Sequence, residues 1–597
     1  MVKPKLFVTA VFLAILCFCA AALGEVAVRV VDPLRPIYDM ETAREAPGGE
    51  VLLLAAPRNG SASAQVVIIG EGAGGLKAEM GPLSSPEAEL PAEAVEIRYA
   101  RREQGYERPQ SPDENDSGIY EIYGSNPDNL LNAYYDRLKP EPQGDAQLVP
   151  VWVSVRVPSE TPGGVYTGEL IIGDETVPVR LMVSDWVSPD PIDFAVHVGV
   201  RPTNRYVIDE NWEMIEQQMK LLGALGANEI WLDVAADRRG APLIHFTRQG
   251  GTLAPDLRLV ERYIDLFAEH VGQPRHVIVD YWDWRMCSRL QRNPVSLFAM
   301  VDGERETVPL PEEPGGERFW GILMGRLAAV IRERGWPVES ISLAMGGDRR
   351  PSGETVAAWR HIAPYAGWVV ATHGRGDREL STFAADEPII QGGVKMDYYS
   401  HPWVPHYTIR DGREPYFLGG WNLTHPIYSS ARYMIYQYSA PSHWRGFPSA
   451  MMAGQPGAGR GMNTAAGFNL LMDSEDGASM GFLKRLGPTS IIARGRDGFV
   501  PTVRFEMLRE GLQEAEARAL IERVLAGGGL DDALADEARE LLTVLYNIRF
   551  REGRFSGRGN LSSGHLGAAE YPRWIELTSR LYDMAGRLSD AASPAHN

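Results

Sequence analysis

The chain has 597 residues, of which 44% are hydrophobic and 23% charged, an ordinary globular composition that suits two to four domains at about 150 residues each. Basic residues number 59 against 78 acidic ones, a formal net charge of −19, which argues against nucleic acid or an anionic membrane surface as the main partner. Three cysteines in this length exclude a small disulfide-stapled module, while 62 glycines and 42 prolines favour turn-rich strands over a helical array.

At the start, Lys3 and Lys5 precede an apolar run from Leu6 to Leu23 that closes on Ala20, Ala21, Ala22 and Gly24. This is the pattern of a secretory signal cleaved near Gly24, so residues 1–24 are read as a signal peptide and the product as exported, periplasmic or extracellular. Leu16 before Cys17 and Phe18 before Cys19 do not suit lipidation, and no later stretch is apolar enough to span a bilayer. With the signal removed Cys287 stands alone, and it reads as a small buried hydrophobe.

From Glu25 to about Asp190 short apolar runs alternate with Gly, Pro, Asn and Ser clusters: Val26 to Val31, Val51 to Ala55, Gln65 to Ile69, Val95 to Ala100, Val149 to Val157, Val165 to Ile172, and Val177 to Val183. Strands this short and regular predict an N-terminal β-sandwich over residues 25–190, interrupted by a polar loop from Gln104 to Asp145. After Pro189 the period changes. Strands are expected at Phe194 to Val200, Glu229 to Ala235, His276 to Trp282, Ser340 to Met345 and Trp368 to Thr372. Helices are expected at Trp212 to Leu225, Leu257 to Val271, Glu317 to Arg334 and Gly353 to Ala366. This alternation predicts a parallel sheet, and the number of units favours a (β/α)8 TIM barrel over residues 191–525, with Ile389 to Tyr398, Tyr416 to Trp421 and Ala466 to Met472 as its last three strands. From Thr502 the chain reads as helix, broken at Ala526 to Leu530, and residues 526–597 form a C-terminal helical extension.

Several motif matches carry no chemistry. Gly70 to Gly75 fits G-x-G-x-x-G, but no helix follows to face a pyrophosphate, so it is a turn. Gly477 to Gly481 fits G-x-S-x-G after polar Asp473-Ser474-Glu475-Asp476 instead of a buried strand, and those acids read as a solvated loop before a calcium site. No zinc or nucleotide motif is present, and no cofactor is expected.

Carboxylates and aromatics do gather where the barrel strands should end, which is the active face of such a fold. Asp280-Tyr281-Trp282-Asp283-Trp284 ends strand three; Asp348, Arg349 and Arg350 follow strand four, His373 strand five, and Asp397, Tyr398, His401 and Trp403 strand six. Acids for proton transfer beside indole and phenol faces that stack on pyranose rings are the ingredients of a carbohydrate site.

Two stretches, Val149 to Leu170 with its Pro162-Gly163-Gly164 turn and Val503-Arg504-Phe505-Glu506-Met507-Leu508-Arg509-Glu510-Gly511-Leu512-Gln513-Glu514, resemble glycoside hydrolase family 123, typified by β-N-acetylgalactosaminidases. Strand four with its following helix resembles it more weakly. The resemblance implies a sandwich, a barrel closed by a helix, and hydrolysis assisted by the sugar's own 2-acetamido oxygen, with an Asp-Glu pair after strand four. In that register Asp348 takes the orienting Asp's place and Arg349 that of the acid. Guanidinium stays protonated at any working pH and cannot deliver a proton. Asp386-Glu387-Pro388 offers a second, poorer register. The expectation is therefore an exported glycoside hydrolase, or a divergent relative, acting on an extracellular glycan. Asp348 and Asp283 would be its reacting carboxylates, and Asp280, Trp282, Trp284, Arg349, His373, Asp397, Tyr398, His401, Trp403 and Trp421 would be substrate contacts. The alternative is a carbohydrate-binding protein that keeps the cleft without catalysis.

Overall fold

A computed structural model describes residues 26–33, 37, 39–46, 48–101, 135, 137–194, 199–200, 210–234, 243–282, 297–345, 352–372, 389–394, 415–416, 492–495, 498–552, 555–556, 560–561 and 570–592. In chain order the N-terminal elements are β1 (Ala27–Val31), α1 (Met40–Glu45), β2 (Leu52–Arg58), β3 (Gly60–Ile69), β4 (Ala78–Met80), β5 (Leu83–Ser84), β6 (Glu89–Leu90), β7 (Val95–Arg101), β8 (Arg137–Lys139), β9 (Leu148–Val157), β10 (Gly164–Ile172) and β11 (Glu175–Val187). They form an antiparallel sheet ordered β1-β3-β9-β7-β8 and a second sheet ordered β2-β11-β10-β5-β6, in which β2 and β11 are parallel and β4 pairs with β10. Inward side chains of both sheets, including Ala64, Val66, Val151 and Val153 from the first and Leu54, Tyr166, Leu170 and Leu181 from the second, make one apolar cluster. β10 alternates buried and exposed positions, as a strand with one wet face must, whereas β3 and β9 are buried on both faces. Their second face is covered by the C-terminal helices and by the unit that follows.

That unit contains β12 (Gly199–Val200), α2 (Trp212–Ala224), β13 (Glu229–Asp233), β14 (His245–Gln249), β15 (Thr252–Asp256), α3 (Arg258–His270), β16 (His276–Trp282), β17 (Leu297–Val301), β18 (Glu304–Val308), α4 (Gly316–Glu333), β19 (Ile341–Met345), α5 (Gly353–Ile362), β20 (Gly367–Thr372), β21 (Ile389–Val394) and β22 (Pro415–Tyr416). Seven strands pair in the order β12-β13-β16-β19-β20-β21-β22, each parallel to the next. Among the described residues no pairing returns from β22 to β12, so the observed architecture is mixed α/β with several sheets and no closed barrel. The helices are amphipathic at helical spacing: α3 buries Val260, Tyr263, Ile264 and Phe267, and α4 buries Phe319, Trp320, Leu323, Met324, Leu327 and Ile331. The expected strand Phe194 to Val200 is described at Gly199–Val200, and the helix expected to Ala366 ends at Ile362. The expected strand Ala466 to Met472 lies outside the described residues.

α2 ends in a Schellman turn, where Ala227 N–H donates to the Leu222 carbonyl at 3.1 Å and Gly226 N–H to that of Gly223 at 3.0 Å. Gly226 has φ +73°, and a Cβ there would meet the Pro191 carbonyl oxygen at 2.2 Å. Gly226→Ala combines left-handed strain with a backbone clash and is expected to cost roughly 2 kcal/mol or more, read as a lower urea midpoint with unchanged slope.

A hairpin of β23 (Ile492–Gly495) and β24 (Gly498–Pro501) leads into α6 (Val503–Gly527), α7 (Asp532–Glu552) and α8 (Glu570–Ala592). α8 lies against β11 and β2, and α6 against β3 and α8. Gly586 lets α8 approach closely, since a Cβ there would meet the Trp186 backbone at 3.2 Å. One apolar cluster runs from Trp152 and Leu138 through Val503 and Phe505 of α6 to Ile215 and Met219 of α2 and on to Ile230, Val277 and Leu343 of the parallel sheet. The N-terminal sheets, α6 and the parallel unit therefore share a core.

Candidate functional site

Because the seven strands run the same way, their carboxyl ends open on one side, where parallel α/β folds bind ligands. In backbone register Asp233 of β13 pairs with Asp280 of β16, and Asp280 with Ala344 of β19. The next pair across β16 and β19 is Trp282 with Met345, so Tyr281 is an extra residue and β16 carries a bulge at its carboxyl end. The Tyr281 ring is fully buried against the helix layer, 4.8 Å from Trp359 and 5.8 Å from Trp320 between ring centres. Trp320 stands edge-on to Phe319 at 5.0 Å, and Phe319 packs on Phe246 of β14 at 4.8 Å. An aromatic stack thus braces the end of the third parallel strand from behind.

Two connections on this side carry hairpins. β14 and β15 lie between β13 and α3, β17 and β18 lie between β16 and α4, and parallel pairing of β14 with β17 joins them into a four-stranded sheet ordered β15-β14-β17-β18. Both turns have two residues at positive φ, Gly250 (56°) with Gly251 (81°) and Asp302 (50°) with Gly303 (86°), as type I′ hairpins require. Inward Phe246, Leu297, Ala299 and Val301 are buried. Arg248 ties the hairpins together, its backbone N–H on Asp302 Oδ1 at 3.1 Å and its guanidinium paired with Glu306. Trp320 Nε1 donates to the Pro309 carbonyl at 2.9 Å, fastening the second hairpin's exit to α4.

A second polar concentration lies on α6. Glu506, fully buried, accepts from Arg98 of β7 at 2.6 Å and from Arg509, while Arg98 also donates to Ser154 of β9 at 2.8 Å. One and two turns on, Glu510 accepts the Ser63 backbone N–H at 2.9 Å, and the Gln513 amide both accepts from Ser61 N–H at 2.7 Å and donates to the Ser61 carbonyl at 2.9 Å. Burial pushes the Glu506 carboxyl up, but Arg509, Arg98 and the hydrogen bonds from Arg98 and Ser154 together hold it below the ordinary carboxylate range. A buried carboxylate engaged in this way is a fastener of helix to sheet.

Of the residues singled out in the sequence, Asp280 and Trp282 stand at the carboxyl end of β16 in backbone position. Asp283, Trp284, Asp348, Arg349, His373, Asp397, Tyr398, His401, Trp403 and Trp421 lie outside the described residues, as do Asp386, Glu387, Cys287 and the acids at 473–476. The sequence reading passed over Asp233, although it ends the second strand in register with Asp280. It also passed over the two hairpins, signalled by Gly250-Gly251 and Asp302-Gly303. Among the described residues no group of three or more His, Cys, Asp or Glu side chains is placed to hold a metal ion, and no helix is long and apolar enough to cross a membrane.

These features define a mixed α/β protein whose parallel strands end on one common side. No protein-family model matches the chain, and no curated protein matches it. Among solved structures, a family 123 glycoside hydrolase from Clostridium perfringens, described in terms of glycolipid glycan hydrolysis, superposes with a TM-score of 0.60 at 11% identity over 95% of this chain and 98% of that one. The chain shares the fold of that family 123 structure. A putative alpha-galactosidase from Bacteroides fragilis NCTC 9343, 11% identical over 57% of this chain and 58% of that one, gives a TM-score of 0.14 and carries no weight.

Proposed function

We propose that the protein is a glycoside hydrolase, exported after cleavage near Gly24, that acts on an extracellular glycan; the Clostridium perfringens neighbour makes glycolipid glycans the first to test. Residues 25–190 would be the β-sandwich, 191–525 a (β/α)8 barrel and 526–597 the helical extension. The observation that carries this proposal is the shared fold over 95% of the chain, joined to the crowding of acids and aromatics in the sequence that follows β16, β19 and β21. Asp348 would orient and stabilise the developing positive charge, and Asp283 would be the proton donor. Arg349, in the acid's place, favours the second reading, a carbohydrate-binding protein without catalysis.

Hydrolysis of glycolipid glycans and of nitrophenyl glycosides by the mature protein separates the two. Asp283→Asn should lower the rate roughly 10²- to 10⁴-fold on natural glycans and much less on nitrophenyl glycosides, whose leaving group needs no proton. Asp348→Asn should lower both. Binding without turnover of any substrate would select the second reading, and turnover indifferent to both substitutions would move the chemistry to other residues.

A further inference from the structure

Farther along α6 than the Glu506 joint lies a pair that behaves in the opposite way. Arg518 and Glu522 are one helical turn apart, with side chains 0% and 1% exposed, and Arg518 Nε stands 3.7 Å from Glu522 Oε1. That is an ion-pair distance but no hydrogen bond, and among the described residues neither Glu522 oxygen has a hydrogen-bond partner. Both residues lie on the stretch of α6 whose Ala517, Ile521 and Leu525 join an apolar cluster with Ala538, Leu541 and Leu542 of α7, Leu577, Leu581 and Tyr582 of α8, and Trp186 of β11. A carboxylate buried here loses its hydration and regains little, because one charge at that distance without hydrogen bonds seldom offsets desolvation.

We propose that Arg518 and Glu522 form a proton-operated latch in the C-terminal helical layer, which grips α6 firmly with Glu522 neutral and slackens when the carboxylate is charged.

Several other titratable groups of the packed elements have partners of their own. On α6 itself, Glu514 accepts from Thr578 of α8 at 2.9 Å, and Glu516 stands 3.7 Å from Arg523. Glu537 of α7 is paired with Arg587 of α8 at 2.6 Å, and Asp536 with Arg539 at 2.8 Å. Asp583 of α8 is influenced by Asp185 of β11 and by Arg587. Arg518 is the charge that acts on Glu522; burial outweighs it and pushes the carboxyl up to about 7. The sign follows. Between the ordinary Glu value near 4.5 and about 7 the folded chain holds a proton that the unfolded chain has lost. Stability from this group therefore falls as pH rises through that window, by about tenfold in the unfolding equilibrium per pH unit, and is level on either side.

Urea unfolding of the full chain at pH 5, 6, 7 and 8, followed by tryptophan fluorescence, tests the latch. Glu522→Gln should match wild type near pH 5 and become more stable than it as pH rises, the gap reaching roughly 100-fold in equilibrium constant and levelling above pH 7. Arg518→Met removes the charge that holds the carboxyl down, so its step should extend to higher pH. Hydrogen exchange corrected for intrinsic rates should show α6, α7 and α8 loosening from pH 5 to 8 more than β3 or β16. Parallel wild-type and Glu522→Gln curves, a step that does not rise in Arg518→Met, or loosening spread evenly over the sheets would each overturn the proposal. Should Glu522→Gln fail to fold, the Arg518→Met step and the exchange pattern decide it.

Discussion

Glu506→Gln should lower the stability of the whole chain by about 3–5 kcal/mol, the cost of breaking a buried ion cluster from one side. Glu506 is 0% exposed, and its removal leaves Arg98 and Arg509, 7% and 14% exposed, facing one another without their shared anion. Arg98→Met should cost less, because Arg509 and Ser154 remain to satisfy the carboxylate. The double substitution Arg98→Met with Glu506→Leu should cost less than the sum of the singles, since an apolar replacement removes the desolvation along with the pair. The pH dependence runs opposite to that of Glu522. A carboxyl held below its ordinary value contributes stability that is complete above about pH 4.5 and is lost as pH falls through the depressed folded value. Wild type should thus lose the Glu506 contribution in acid, and Glu506→Gln should show a flatter acid limb in urea titrations between pH 3 and 6.

Why this joint escapes a reading of the sequence is physical. Glu506, Glu510, Gln513, Glu514, Glu516, Arg518 and Glu522 would ordinarily mark the wet face of an exposed helix, yet all are buried. The partners of Glu506, Glu510 and Gln513, namely Ser61, Ser63, Arg98 and Ser154, are all more than 350 residues away in the chain, and no local pattern reveals a match at that separation. The two stretches that resemble family 123 proteins, around Val149 to Leu170 and Val503 to Glu514, meet at this joint through Ser154, Arg98 and Glu506. Their residue pattern therefore has a structural reason independent of catalysis.

Elements with a strong period were legible. His276–Trp282 was expected at its observed bounds, and α3 and α4 within a residue at each end, because burial of one helical face or of a whole parallel strand writes itself into the local sequence. The hairpins were not, even with Gly-Gly and Asp-Gly at their turns, since strands such as HFTRQ and ERETV expose most of their residues and show no clear alternation. In the candidate site the sequence located the end of β16, but it could not tell that Tyr281 turns into the helix layer at a bulge, because that depends on the register with β19. Closure of the parallel sheet into a barrel depends likewise on pairings between distant strands, which periodicity within each strand does not encode.

Trp320→Ala should be the most damaging single change in the parallel unit, at about 3–5 kcal/mol, the usual range for emptying a buried Trp site. The side chain is 1% exposed and sits between Tyr281, Phe319 and Trp359 at 5.8, 5.0 and 5.6 Å. It also donates to the Pro309 carbonyl, so Trp320→Phe, which keeps most of the ring contact, should still lose that hydrogen bond, worth about 1 kcal/mol. Trp359→Phe is the matched comparison, because among the described residues its Nε1 has no acceptor and nothing polar is lost. Trp359→Phe should therefore stay within about 1 kcal/mol of wild type. The stack braces the bulged end of β16 just before Asp283, so on the proposed function Trp320→Phe should lower kcat on natural glycans more than it raises KM, through a displaced strand end rather than a lost contact. Equal urea midpoints for Trp320→Phe and Trp359→Phe would detach the Pro309 bond from stability. Unchanged kcat in a folded Trp320→Phe protein would detach the stack from the strand end it supports.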